Sequence, residues 1–199
     1  MLRRYTELMS RRPLAGNALS MGTVVGLGDF AAQMVSGKGT QQFDWERLSI
    51  TTAYGFAAGA PFRMWLTVLE SIKRLQAPTL RNAIIKTAIN QCVYSPIFNS
   101  IYFAITIART ASKEPGSCEG VSLTKRWVDK CEADLLRTQL YANMWFFPAN
   151  TMIFRFVQIQ YRGLANAFAV AGWNVYLSLV AQRGTSTGVT DSTRPGRAE

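Results

Sequence analysis

The sequence predicts an all-α fold: an integral membrane helical bundle of about four transmembrane helices plus one broken or interfacial helix. Several apolar stretches approach the roughly 20 residues that a helix needs to cross the hydrocarbon of a bilayer. Charged residues make up only 17% of the chain, against about a quarter in soluble domains, and they crowd between the apolar stretches. Such segregation is typical of membrane spans that are separated by solvated loops.

The apolar stretches, taken in order, predict the helices. They are Leu14–Val35, Leu48–Leu69, Ala83–Ala108, Gln139–Gln160 and Leu164–Ala181. The third and fourth have polar ends, so one helix is expected to be broken or to lie on the membrane surface. Loops are predicted at 37–47, 70–81, 110–137 and 161–163, with a short amphipathic helix from Trp127 in the longest of them.

The domain organisation predicted from composition has three parts. Residues 1–13 form a cationic amphipathic or targeting-like segment, residues 14–182 the membrane helical domain, and residues 183–199 a disordered tail rich in Gly, Ser and Thr. The first part sets four arginines against one acid, as mitochondrial targeting segments do. A cationic helix that lies on the membrane surface is the alternative, and the two interpretations are compatible.

Composition also excludes several function classes. Histidine is absent, which removes the usual general base and the commonest metal ligand, so we predict no enzyme activity, no cofactor and no metal. The three cysteines show no zinc spacing, and Cys118 and Cys131 are expected either to pair or to stay free thiols. The net charge of +10 flanks apolar segments, which predicts lipid contact and no direct nucleic-acid binding.

The first apolar stretch carries a polar stripe. Gly26, Asp29 and Gln33 follow Gly22 at +4, +7 and +11, so all four share one helix face. Gly22 and Gly26 form a GxxxG pair, which lets a neighbouring helix come close. An ionisable group at membrane depth is a functional-site hypothesis, so Asp29 and Gln33 are expected either to line a solute path or to lock helices together.

Further packing and bending residues lie in the later stretches. Gly55 and Gly59 form a second GxxxG pair. Three prolines lie inside three different stretches, where each removes a backbone hydrogen bond and bends its helix: Pro61, Pro96 and Pro148. The bends are expected to be packing kinks or, alternatively, the waist of a pore.

Charges inside the apolar stretches give a hypothesis about selectivity. Arg63, Lys86 and Arg155 stand against one acid, Asp29, for which they are the candidate partners. If these groups share a water-filled interior, its field is positive and favours small anionic solutes. The alternative is that Lys86 and Arg155 lie near span ends and extend to the interface. Homo-oligomerisation is left open.

Several short motifs resemble those of one known family. They are Gly28-Asp29 with Gln33, Asp44 with Arg47, Lys86 with Asn90 and Gln91, and a closing run that contains Trp173, Asn174, Tyr176, Leu177 and Ser178. Their order and spacing over roughly residues 5–181 resemble the Mpv-seventeen and twenty-two-kilodalton peroxisomal membrane protein family. The chain departs from that pattern in having Arg63 where the family usually has histidine and Asn90 where it has an acid.

The resemblance implies an integral protein of the mitochondrial inner membrane or, alternatively, of the peroxisomal membrane. It further implies a weakly selective channel or pore for small solutes, metabolite homeostasis and, in the family, maintenance of mitochondrial DNA. Asn174 and the tryptophan before it are expected to pack and hydrogen-bond between helices. The rival hypothesis is a non-transporting membrane scaffold that uses its GxxxG faces for assembly.

Overall fold

The computed structural model describes residues 2–35, 43–113 and 121–187, and within them all regular structure is helical, which confirms the all-α prediction. The helices are α1 (Leu2–Arg11), α2 (Pro13–Val35), α3 (Trp45–Ser71), α4 (Leu80–Ile89), α5 (Ser95–Lys113), α6 (Leu123–Phe156) and α7 (Ile159–Thr187). A 3-10 turn, Lys73–Leu75, follows α3, and a π-helical turn, Asn90–Tyr94, joins α4 to α5.

By length and composition, one helix in the described part of the chain qualifies as a membrane span, namely α2. The expected count of about four spans is therefore not confirmed. Helices α3, α6 and α7 are long enough, since even the 27 residues of α3 correspond to about 40 Å at 1.5 Å per residue. They carry more charge than the first stretch, because their ends extend into segments that the sequence analysis treated as loops.

The chain divides into two compact units. Unit 1 comprises Met1–Thr67 and Gln158–Glu199, and unit 2 comprises Val68–Val157. Among the described residues, unit 1 thus contains α1, α2, most of α3 and α7, whereas unit 2 contains the end of α3 together with α4, α5 and α6.

Two predicted loops are wrong. Helix α6 begins at Leu123 and runs without a break to Phe156, so most of the predicted loop 110–137 and its short helix belong to one long helix. Good helix formers fill this segment, and the Ser122 hydroxyl caps its start by accepting from the Lys125 N–H at 3.3 Å. The predicted turn at 161–163 lies inside α7, and the chain turns instead at Val157.

The ends of the predicted domains fall differently in the structure. The cationic N-terminal segment folds as α1, whose Tyr5 ring stacks on Tyr161 of α7 with centroids 6.0 Å apart and whose Met9 is buried. Helix α7 continues to Thr187, so the first residues of the predicted tail are helical. Residues 188–199 lie outside the described part of the chain, as does Cys118.

In unit 1, α2 packs against α3 through both GxxxG pairs. A Cβ on Gly22 would overlap the ring of Phe56, and one on Gly59 would lie 2.5 Å from the Cα atom of Ala18. The Asn17 amide donates to the Gly59 carbonyl at 2.6 Å. Because the two backbones are this close, the interface accepts no side chain at these glycines.

Helix α2 also packs against α7 at two small residues. A Cβ on Gly28 would overlap Ala171, and one on Gly163 would overlap the amide of Asn17. Asn17 therefore lies where α2 contacts both other long helices of unit 1. This contact explains why position 163 of α7 is occupied by glycine, which the sequence suggested was part of a turn.

We expect Gly59→Val to destabilise unit 1 by about 1–3 kcal/mol, because its methyl groups would overlap the backbone of Ala18. Ala57→Val, on an exposed position of the same helix, is the matched control and should change stability little. Thermal unfolding of both variants in detergent checks this. Equal melting temperatures would show that the two helices are not in close contact.

Candidate functional site

The first polar cluster joins the end of α2 to the start of α3 in unit 1. Asp29 and Gln33 lie one turn apart on α2, and Asp44 and Arg47 lie at the start of α3. The Asp44 carboxylate accepts from the Arg47 N–H at 2.8 Å and so caps α3, which fixes Arg47 in the first turn.

The Asp29 carboxylate is held by two side chains of this cluster. Arg47 donates to Asp29 Oδ1 from Nε at 3.0 Å and from Nη2 at 2.8 Å, and Gln33 Nε2 donates to Oδ2 at 2.9 Å. Gln33 in turn holds the backbone of Asp44, because its Oε1 accepts from the Asp44 N–H at 2.8 Å. The Asp29 side chain is 2% exposed, so the carboxylate is buried and compensated inside the protein.

This geometry corrects the expected ion pairs. Asp29 pairs with Arg47, rather than with Arg63, Lys86 or Arg155. Arg47 was predicted only as part of a family motif in a loop, and not as a partner of Asp29. Arg63 instead donates to the Ile159 carbonyl at 2.7 Å, and so ties α3 to the start of α7 within unit 1.

The second polar cluster lies in unit 2. Lys86 Nζ of α4 donates to Glu70 Oε1 in the last turn of α3 at 2.6 Å. The side chains of Lys86 and Glu70 are 5% and 24% exposed. Glu70 was not identified as a site residue because it lies where the sequence predicted a loop. Arg155, in the last turn of α6, lies with its guanidinium carbon 5.3 Å from the ring centroid of Phe156.

Beyond this ion pair, polar side chains connect α4 and α5 with α6. We call this set the amide seam; it consists of Thr87, Gln91, Ser95 and Asn99 on one side and of Gln139, Asn143 and Thr151 on the other. Thr151 Oγ1 donates to Thr87 Oγ1 at 3.2 Å, and Asn99 Nδ2 donates to Gln139 Oε1 at 2.9 Å. The two pairs have one antiparallel register, since the residue numbers rise by 12 on one helix and fall by 12 on the other.

Gln139 is the centre of the seam. Its Oε1 also lies 3.1 Å from Ser95 Oγ, while its Nε2 donates to Asn143 Oδ1 at 3.0 Å and to the backbone carbonyl of Gln91 at 3.1 Å. Both lone-pair positions and both amide hydrogens of Gln139 are therefore in use. Gln139 was not among the predicted site residues, although the four-residue spacing of polar residues on both helices is the signal that identifies it.

The π turn and Pro96 together explain why the Gln91 carbonyl is free to accept. In the turn, the Ser95 N–H bonds the Asn90 carbonyl, five residues earlier. The next bond of that series would join the Gln91 carbonyl to residue 96, which is proline and has no N–H. Gln139 supplies the missing donor, so this proline provides the seam with an acceptor rather than only a kink.

The remaining predicted residues have simpler surroundings. Pro61 and Pro148 lie inside continuous helices, where each leaves one carbonyl without its usual donor. Asn90 is buried in the π turn. Trp173 and Tyr176 stack on α7 with centroids 5.6 Å apart, and Asn174 is half-buried beside them. Leu177 and Ser178 belong to α7, but their side chains lie outside the described part.

Comparison with known proteins finds relatives from one family of membrane proteins. The model of the Mpv17 / PMP22 family matches residues 116–178. The mitochondrial inner membrane protein Mpv17 of Caenorhabditis elegans is 30% identical over 192 residues, covering 88% of this chain and 93% of that protein. Protein SYM1 of Debaryomyces hansenii is 26% identical, covering 89% and 86%, and PXMP2/4 family protein 1 of Dictyostelium discoideum is 27% identical, covering 90% and 83%. No solved structure matches this chain.

We expect a double-mutant cycle of Asp29→Ala and Arg47→Ala to give a coupling free energy of about 1–2 kcal/mol. This is below the roughly 3–5 kcal/mol lost when one partner of a fully buried pair is removed, because the Arg47 side chain is 37% exposed and partly screened. Unfolding of the four proteins in detergent measures it. The same cycle on the exposed pair Glu7 and Arg11 should give a coupling near zero, and equal coupling at both sites would contradict a compensated buried carboxylate.

In unit 2, Glu70→Gln should destabilise the protein more than Lys86→Met, by at least about 1 kcal/mol. The first change leaves a buried ammonium without its counter-charge, whereas the second leaves a carboxylate that is 24% exposed. Thermal unfolding of the two variants decides the order. The opposite order would show that Lys86 reaches water.

Proposed function

The chain belongs to the Mpv17 / PMP22 family, and we propose that it acts as a membrane channel or pore for small solutes. Relatives with the name mitochondrial inner membrane protein Mpv17 support that membrane as its location, and the PXMP2/4 names leave the peroxisomal membrane as the alternative. In this role the protein contributes to the metabolite balance of the organelle.

The observation that carries the proposal is the amide seam inside a helical unit with apolar outer faces. On α6, Leu136 is 72% exposed and Met144 is 77% exposed, while Gln139 and Ala142 of the same helix are buried. Large exposed apolar side chains suit contact with lipid, and buried amides suit contact with a polar solute.

The length of the seam supports a path rather than a single packing contact. From Thr87 to Asn99 it extends over 12 residues, or about 18 Å of helix, which is more than half of the roughly 30 Å of bilayer hydrocarbon. Its side chains carry no charge, and Lys86 beside it is neutralised by Glu70. Weak charge selectivity is therefore favoured over the anion preference that the sequence suggested.

A second function, a non-transporting scaffold, is favoured by unit 1. There the GxxxG pairs bring α2 and α3 into backbone contact, and both oxygens of Asp29 are bonded within the protein. Polar residues of this unit thus serve packing. On this view Asp29 stabilises the fold and lines no path.

Planar-bilayer conductance of the purified protein tests the proposal. We expect discrete currents from the wild type and a several-fold smaller conductance from Gln139→Leu, because an apolar side chain at the centre of the seam creates a barrier that repels water. Gln160→Leu, at an amide outside the seam, is the matched control and should conduct like the wild type.

Asp29→Asn should leave the conductance of each open channel unchanged while lowering thermal stability, since Asp29 belongs to the packing of unit 1. A wild type that is folded, as circular dichroism can show, but passes neither current nor solute would favour the scaffold.

A further inference from the structure

The Nε2 atom of Gln91 is the one buried side-chain nitrogen or oxygen of the seam that has no hydrogen-bond partner among the described residues. Gln91 is 3% exposed, and its Nε2 atom has no hydrogen-bond partner among the described residues. Buried side-chain donors are nearly always bonded, because leaving one without an acceptor costs more than a typical bond contributes. This donor therefore requires an acceptor that the described chain does not supply.

Two neighbouring acceptors are already occupied. Gln139 is the nearest carboxamide along the seam, and its own oxygen already accepts from Ser95 and Asn99. The Gln91 backbone carbonyl is occupied by Gln139 Nε2. At the level of Gln91 the antiparallel register places Phe147, which has no side-chain oxygen, on α6.

The charge of the surroundings indicates the chemistry of the acceptor. None of the seven seam residues is ionisable, and the ammonium of Lys86 already has a carboxylate partner at 2.6 Å. An anion bound at Gln91 would lack a counter-charge and would lose most of its hydration. A neutral oxygen loses far less hydration, and a carboxamide N–H is a suitable donor for it.

We propose that Gln91 is the donor of a binding site for the oxygen of a small uncharged hydroxyl compound, either water or a polyol such as glycerol. The π turn positions this residue in the seam, because the missing N–H of Pro96 lets the Gln91 backbone bond to Gln139. Only the role of this site in transport rests on the proposed function. Binding at Gln91 stands or falls on stability measurements alone.

The first experiment compares melting temperatures in detergent for the wild type, Gln91→Met and the control Gln160→Met. Methionine has nearly the shape of glutamine but no donor. If an oxygen is bound at Gln91, Gln91→Met loses that bond and melts about 2–5 °C lower, while the control changes little. If Gln91 is an orphan donor, methionine relieves its desolvation and the melting temperature stays the same or rises, which overturns the proposal.

Gln91→Asn keeps the experiment decisive if the methionine variant does not fold. This variant retains a carboxamide one methylene shorter, so a bound oxygen can still bridge to it. Where Gln91→Met does not fold, Gln91→Asn should still fold if the site exists, and where both variants fold, Gln91→Asn should melt at the higher temperature. An asparagine variant no more stable than the methionine variant would count against the site.

The second experiment measures shrinkage and re-swelling of proteoliposomes after a jump in glycerol concentration, which gives water and glycerol permeabilities separately. A loss of water permeability alone in Gln91→Met identifies water as the ligand, and a loss of both identifies a polyol-accepting site. If the wild type conducts ions and Gln91→Met is as permeable to water and glycerol as the control Gln160→Met, the role of Gln91 in the path is overturned. The proposal that the protein is a channel would remain. Wild-type vesicles without any permeability would overturn the proposed function, while the melting temperatures still decide the binding site.

Discussion

Asp29 and Lys86 are buried charges that each have an opposite charge within their own unit, and the packing of both units depends on this pairing. An isolated ion inside a helical bundle costs many kcal/mol, so helices that carry one must meet a partner before they can pack. Arg47 provides that partner for Asp29 from the first turn of α3, and Glu70 provides it for Lys86 from the last turn of the same helix. Helix α3 thus supplies the counter-charge to both units.

A different constraint acts on the uncharged seam, where backbone and side chains share donors. The π turn moves the partner of each carbonyl one residue further on, and the residue reached from Gln91 is a proline. The Gln91 carbonyl then accepts from Gln139 of α6. A backbone irregularity that would be costly in an isolated helix is in this way converted into an interhelical bond. Pro61 and Pro148 have no such π turn beside them and lie inside regular helices.

Local residue patterns predicted part of this structure, and long-range contacts decided the rest. The helical class and the first span followed from apolar stretches and from the spacing of Gly22 and Gly26. The boundaries of α6 and α7 did not, because charged but helix-favouring residues after Leu123 look like a loop when only hydropathy is considered. The partner of Asp29 was missed for a related reason. Arg47 lies 18 residues away across a segment without periodicity, and only the folded chain shows that the cap at Asp44 directs it to Asp29.

The two units differ in whether their buried polar groups have hydrogen-bonding capacity left for a solute, and this difference matters for the proposed transport. In unit 1 the carboxylate of Asp29 has all of its interactions within the protein, so hydration or a solute would have to break an ion pair to use it. In unit 2 the seam is uncharged, and the amide hydrogens of Gln91 are not used by the described chain. A polar solute can replace or add a hydrogen bond there at small cost, whereas it cannot displace a buried salt bridge as easily. Since a conducting path requires binding that is weak enough to be reversed, the proposed path fits the seam of unit 2 better than the cluster at Asp29.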